Sequence, residues 1–143
     1  MHSRRGNGAP ARCSVVCAGN SAADLEGVHG SFGFPVIGRP RREGSGLGVA
    51  KATNLSELAQ AIECALGYDS SVLVERFIEA KEVAVGILDG RVLGAIEIAP
   101  RSGLYAFHAT YTPGMTAYHI PPPFPSARHP RVVNLAVPAA TAL

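Results

Sequence analysis

Tryptophan is missing from this 143-residue sequence, methionine occurs twice, and of thirteen basic residues only Lys51 and Lys81 are lysines. Any lysine chemistry therefore has two candidates. No apolar run approaches the ~18 residues that a membrane helix needs. The three cysteines, Cys13, Cys17 and Cys64, cannot make a fully paired disulfide framework, and Cys13-x3-Cys17 has no second pair nearby with which to form a zinc quartet. The five histidines are scattered and form no triad or metal constellation by spacing. A formal net charge of +2 is too small to imply a nucleic-acid or polyanion partner. The basic start is followed by a short apolar stretch at 13–18, which falls short of a signal-peptide core of about 7–15 residues and is broken by Ser14. These absences point to a reduced, cytoplasmic protein with neither nucleic acid nor a membrane as partner.

What is present suffices for a folded domain: 47% of the residues are apolar and 17% charged. Residues 1–31 show no sustained period and are expected to form a poorly ordered arm. From residue 32 the text changes. Phe34–Ile37 reads as a short buried strand, followed by a loop carrying Gly44, Gly46 and Gly48, and then by a second short strand at Val49–Lys51. Residues 55–66 are expected to be a helix. Asn54 and Glu57 supply a capping pattern, Leu55, Leu58, Ile62 and Leu66 recur at helical spacing, and Gly67 marks the stop. Ser71–Ile78 reads as a strand. Val83–Leu88 and Arg91–Ile98 flank Asp89-Gly90, the strongest short hairpin signal because both turn positions need positive φ. Residues 100–130 are expected to be one long irregular stretch, and 130–143 a helix that Pro138 kinks or ends.

Several groups have a site-like character. The loop Glu43-Gly44-Ser45-Gly46-Leu47-Gly48 offers backbone amides that can converge on phosphate oxygens, with Arg39, Arg41 and Arg42 beside it. It is neither a P-loop nor a Rossmann turn, and a plain connector between strands remains the alternative. Glu75 and Glu82 stand near strand ends, where carboxylates accept from sugar hydroxyls or an exocyclic amine, or are simply solvated. Tyr105, Phe107, Tyr111 and Tyr118 give the long stretch an aromatic density suited to a lid over a ligand, or to packing the loop onto the body.

These residues resemble a known family. Gly33-Phe34-Pro35-Val36-Ile37-Gly38-Arg39-Pro40, followed by Arg42-Glu43-Gly44-Ser45-Gly46-Leu47-Gly48-Val49, is similar to the phosphate-binding segment of D-alanine–D-alanine ligases. Val72–Glu79, Glu82–Leu88, Gly94–Ile98 and Tyr111–Thr116 resemble the same family in the same order, so that the likeness covers about residues 32–143. It implies an α+β fold: a partial ATP-grasp domain with antiparallel sheet, a Gly-rich phosphate loop and a long lid-like loop. It also implies ATP as cofactor and D-alanine as substrate. One D-alanine carboxylate is phosphorylated, and the amine of a second attacks the acyl phosphate, in peptidoglycan precursor synthesis. By the same resemblance, Arg39 stands at a phosphate-contacting position and Glu43, Gly44, Ser45, Gly46 and Gly48 form the loop over the phosphates. Ser45 and Tyr111 position substrate, Glu75 and Phe77 lie along the adenine, Glu82 takes the ribose hydroxyls, and family members are often homodimeric.

The sequence also departs from the family. Arg39 replaces a lysine, Gly46 a serine, and Ala106 and His108 acidic positions. Thr110 replaces a lysine that faces the transferred phosphate, and losing a preorganised cation there costs on the order of 3–4 kcal/mol of transition-state stabilisation. The family's magnesium ligands lie outside this chain, so no metal ligand is expected within it. Phosphoryl transfer rests on metal and positioning, so the chain alone is expected to be catalytically incompetent. A non-catalytic ATP-binding or interaction module and a truncated gene product are the other readings.

Overall fold

A computed structural model describes residues 13–17, 33–125 and 129–141. The chain divides into two compact units, one ending at Ile78 and the other beginning at Glu79.

The first unit holds a four-stranded sheet of β1 (Cys13–Cys17), β2 (Val36–Pro40), β3 (Ala50–Ala52) and β4 (Ser71–Arg76), in the order β1-β4-β2-β3 with every pair antiparallel. Helix α1 (Leu55–Leu66) lies between β3 and β4 in the chain. The strands alternate faces, as pleated backbone must. Val16, Val36, Ala52, Val72 and Val74 turn to one side and form a core with Leu58, Ile62 and Ala65 of α1. Gly38 lets the helix approach closely: a Cβ there would stand 3.2 Å from that of Ala61.

Helix α1 occupies the expected residues. Asn54 is extended and its side chain accepts from the Glu57 amide at 3.0 Å, while the Glu57 carboxylate accepts from the amide and hydroxyl of Thr53, each at 2.7 Å. These bonds satisfy donors that the first helical turn leaves open, and the Thr53 hydroxyl and amide hold the Glu57 carboxyl below its ordinary pKa. Gly67 does end the helix, but with φ −66°, so the left-handed freedom of glycine is not what stops it.

The second unit contains a three-stranded antiparallel sheet, β5 (Glu82–Leu88), β6 (Arg91–Pro100) and β7 (Thr116–His119), ordered β5-β6-β7. Asp89 and Gly90 have φ of 49° and 73°, the paired positive values expected of the hairpin, and a register shift between Gly86 and Ile87 bends β5. Helix α3 (His129–Thr141) packs against β5 and β6, and α2 (Phe107–Tyr111) precedes β7.

Four expectations change. Within the supposed arm, Cys13–Cys17 pairs along β4 from Cys13↔Glu75 to Cys17↔Ser71; the rest of residues 1–31 lies outside the described residues. The strand expected at Phe34–Ile37 runs instead from Val36 to Pro40, which carries Arg39 into the sheet. The long stretch after Pro100 is not wholly irregular, since α2 and β7 lie inside it. Pro138 sits within α3 without ending it; having no N–H, it cannot make the usual bond to the carbonyl four residues earlier.

Candidate functional site

The first sheet has a second face, opposite α1. Register places Ile37 across from Lys51 on one side and from Glu75 on the other, so Ile37, Arg39, Lys51, Leu73 and Glu75 share that face. Arg39 and Glu75 are diagonal neighbours on β2 and β4, close enough for long side chains to meet. Arg39 Nε donates to Glu75 Oε2 at 2.7 Å and Nη2 to Oε1 at 3.4 Å, a forked pair with both side chains about one-third exposed. Just past β4, Phe77 donates its amide to the Pro35 carbonyl at 3.0 Å, and its ring carries the Lys51 ammonium 3.9 Å from its centroid. At that range the positive charge is attracted to the ring face. A cation, a flat ring and a partly buried forked ion pair thus occupy one surface.

The loop between β2 and β3 adjoins it. Its tip is a tight turn in which Leu47 donates to the Gly44 carbonyl at 3.1 Å, with φ of 57° at Ser45 and 71° at Gly46. Ser45 is the costly member, because a side chain in the left-handed region costs roughly 1–2 kcal/mol. A second turn follows, from the Gly46 carbonyl to the Val49 amide at 3.4 Å, with Gly48 at φ 67°. Glu43, Gly44 and Ser45 are exposed, and Gly46 and Gly48 partly so.

The loop is held from behind by Asp69, which the sequence did not single out. Only 3% of this side chain is exposed. Arg42 donates to it three times: from the backbone amide at 2.9 Å and Nε at 3.2 Å to Oδ2, and from Nη2 at 2.7 Å to Oδ1. The Ser71 amide also donates to Oδ1 at 3.2 Å. The Arg42 guanidinium first, with the backbone amides of Ser71 and Arg42, holds the Asp69 carboxyl well below the usual carboxylate range. The only signal available in the sequence was an aspartate after a helix stop, which reads as ordinary turn polarity.

In the second unit, Glu82 opens β5 opposite Ile98 and is exposed. Val83, Val85 and Ile87 alternate with exposed neighbours and are half-buried, which gives this sheet one covered and one open side. Tyr111 ends α2, exposed, its ring centroid 4.7 Å from that of Phe107. The Tyr105 and Tyr118 hydroxyls lie 3.0 Å apart, and this bond above all raises the Tyr118 pKa. A cavity of about 220 Å³ opens beside α2, lined among others by Thr110, Tyr111, Gly114, Thr116 and Tyr118. Thr110 turns its hydroxyl back to the Ala106 carbonyl at 3.1 Å, within its own helix.

The structure therefore brings Arg39 and Glu75 into direct contact, sets Phe77 under Lys51, and gathers Glu43, Gly44, Ser45, Gly46 and Gly48 in one loop. Glu82 and Tyr111 belong to the second unit. Among the described residues no group of three or more His, Cys, Asp or Glu is placed to hold a metal ion. None of the described helices is long and apolar enough to cross a membrane.

Residues 16–143 match the family described as D-ala D-ala ligase C-terminus. The chain belongs to the D-alanine–D-alanine ligase C-terminal family. That match begins inside β1, upstream of the boundary at residue 32 drawn from the sequence alone. The D-alanine–D-alanine ligase of Geobacter sulfurreducens is 43% identical over 109 residues, which are 76% of this chain and 34% of that protein. The Geotalea uraniireducens D-alanine–D-alanine ligase is 41% identical over 131 residues, 90% of this chain and 41% of its own length. This member of the ligase family thus spans well under half the length of these curated relatives. Among solved structures, VanG D-Ala:D-Ser ligase from Enterococcus faecalis superposes with a TM-score of 0.70 at 27% identity, over 89% of this chain and 38% of that one. D-alanine–D-alanine ligase from Bacillus anthracis complexed with ATP does so with 0.63 at 19%, over 92% and 38%, a likeness of fold.

Proposed function

We propose that this chain supplies the nucleotide-binding part of an ATP-dependent D-alanine–D-alanine ligase, and that alone it binds ATP without completing the ligation. One observation carries the reading: the open face of the first sheet sets Lys51, Phe77 and the Arg39–Glu75 pair beside a loop whose tip is forced into left-handed backbone. Strained backbone of this kind clusters at ligand clamps. In this reading the Ser45 hydroxyl and the loop amides donate to phosphate oxygens, and Arg39 and Lys51 neutralise their charge. Phe77 lies along the adenine, and Glu75 fixes the Arg39 guanidinium. Ser45 would help position D-alanine for attack on the acyl phosphate in the complete ligase. A cytoplasmic role in cell-wall precursor synthesis follows from that chemistry.

The reading without catalysis rests on Thr110. A hydroxyl bonded back to Ala106 offers no charge to a phosphate in transfer, and uncompensated phosphoryl charge is what such enzymes must neutralise. Titration of the full chain with a fluorescent ATP analogue tests the binding claim. Saturable binding, competed by ATP and weakened about tenfold or more in Arg39→Ala, is expected. A folded chain that shows no saturable signal overturns it. A coupled phosphate assay with D-alanine and ATP should read background, and D-alanine-dependent turnover would overturn the incompetence claim.

A further inference from the structure

We propose that Asp69 is a positioning residue: from the α1–β4 corner, its carboxylate and the neighbouring Tyr68 ring hold both ends of the Gly-rich loop so that the Ser45–Gly46 tip keeps its phosphate-facing shape. The inference rests on the nucleotide reading above and names what sets that site's geometry. The two ends are gripped differently. At the entrance, Asp69 takes the backbone amide and two guanidinium nitrogens of Arg42, while the Arg41 amide donates to the Ser71 carbonyl at 3.0 Å. At the exit, Gly48 lies against Tyr68 and Pro40: a Cβ there would stand 2.8 Å from Tyr68 Cδ2 and from Pro40 Cγ. Only residues 43–47 lie between the two grips, and they contain the strained tip.

A buried carboxylate is costly to keep unless it is fully paired, and Asp69 is paired chiefly with the loop. The Arg42 guanidinium reaches in from a side chain that is 70% exposed, so its contribution to the fold's interior is small while its hold on the carboxylate is direct. The loop's own two turns, Leu47 to Gly44 and Val49 to Gly46, fix local shape but not where the tip points. The Tyr68–Asp69 corner supplies that second constraint.

The test uses the full chain with Arg42→Ala, Arg42→Lys and Asp69→Asn, read by amide hydrogen exchange without nucleotide and by affinities for ATP and adenosine. Exchange at residues 43–48 should accelerate about tenfold in Arg42→Ala and more in Asp69→Asn, with α1 and β4 protection retained. ATP affinity should fall about three- to tenfold while adenosine affinity stays unchanged, with partial recovery in Arg42→Lys. Exchange that is unchanged at the loop, or raised evenly across the first unit, overturns the proposal, as does equal weakening of ATP and adenosine. Wild-type chain that binds neither nucleotide nor nucleoside overturns the nucleotide reading itself, and the exchange measurement then decides the anchor separately.

Discussion

In the first unit, Val36, Ala52, Leu58, Ala65, Val72 and Val74 have no measurable exposure and interlock across one helix and three strands; in the second, the buried apolar side chains among the described residues are Ala109 and Pro122, while Leu88, Leu93, Ile120 and Leu135 are exposed. Both carry a buried carboxylate paired with a base: Asp69 with Arg42, and Glu97 with Lys81 at 2.6 Å. What differs is the apolar packing around the pair. The first unit has its own interior, and its loop is fastened to that interior. The second is a hairpin sheet with one strand and two helices added, and few of its side chains are out of water.

The comparison breaks most easily at Leu58. It is fully buried against β2, β3 and β4, so Leu58→Ala should cost about 2–5 kcal/mol of the first unit's stability. Chemical denaturation followed by hydrogen exchange should show the loss in β2, β3 and β4, with β5 and β6 little changed. Equal loss in both would show that the second unit borrows its stability from the first.

Pro138 offers the opposite change. It occupies α3 where the ordinary helical hydrogen bond is missing, and a proline in a helix interior is disfavoured by up to about 3 kcal/mol relative to alanine. Pro138→Ala should therefore raise the protection of α3 and, through it, of β5 and β6, on which the helix packs. A thermal melt with no gain would mean that α3 contributes little to holding this sheet.

Elements that announce themselves locally were legible in the sequence: α1 through its cap and apolar spacing, and the hairpin through Asp89-Gly90. β1 was not, because five residues interrupted by Ser14 show no period and their pairing with β4 is a contact distant in sequence. α2 and β7, at five and four residues, are likewise too short to reveal a repeat. The candidate site follows the same rule. The loop's glycines could be read directly. The Arg39–Glu75 contact depends on where β2 begins: a strand placed two residues early leaves Arg39 outside the sheet, whereas the true register sets it diagonal to Glu75. Lys51 over Phe77 and Arg42 on Asp69 are products of register and of a corner, neither of which has a motif.

The smallest expected effect lies at the helix starts and sharpens the contrast between the units. α1 begins at Asn54, whose side chain accepts from Glu57; α2 begins at Ala106, which has the extended backbone of a cap, φ −92° and ψ 178°, but no side chain to accept with. Asn54→Ala should cost the first unit about 1 kcal/mol, since the Glu57 amide loses its acceptor. Ala106→Asp should return roughly 0.5–1 kcal/mol to the second by satisfying the amides of α2's first turn. Because α2 is five residues long and carries Tyr111, its gain should appear as slower exchange at 107–111 rather than as a higher global melting temperature. If Ala106→Asp raised the melting temperature as much as Asn54→Ala lowered it, the second unit would be unfolding as cooperatively as the first, and the difference drawn between them from burial would fail.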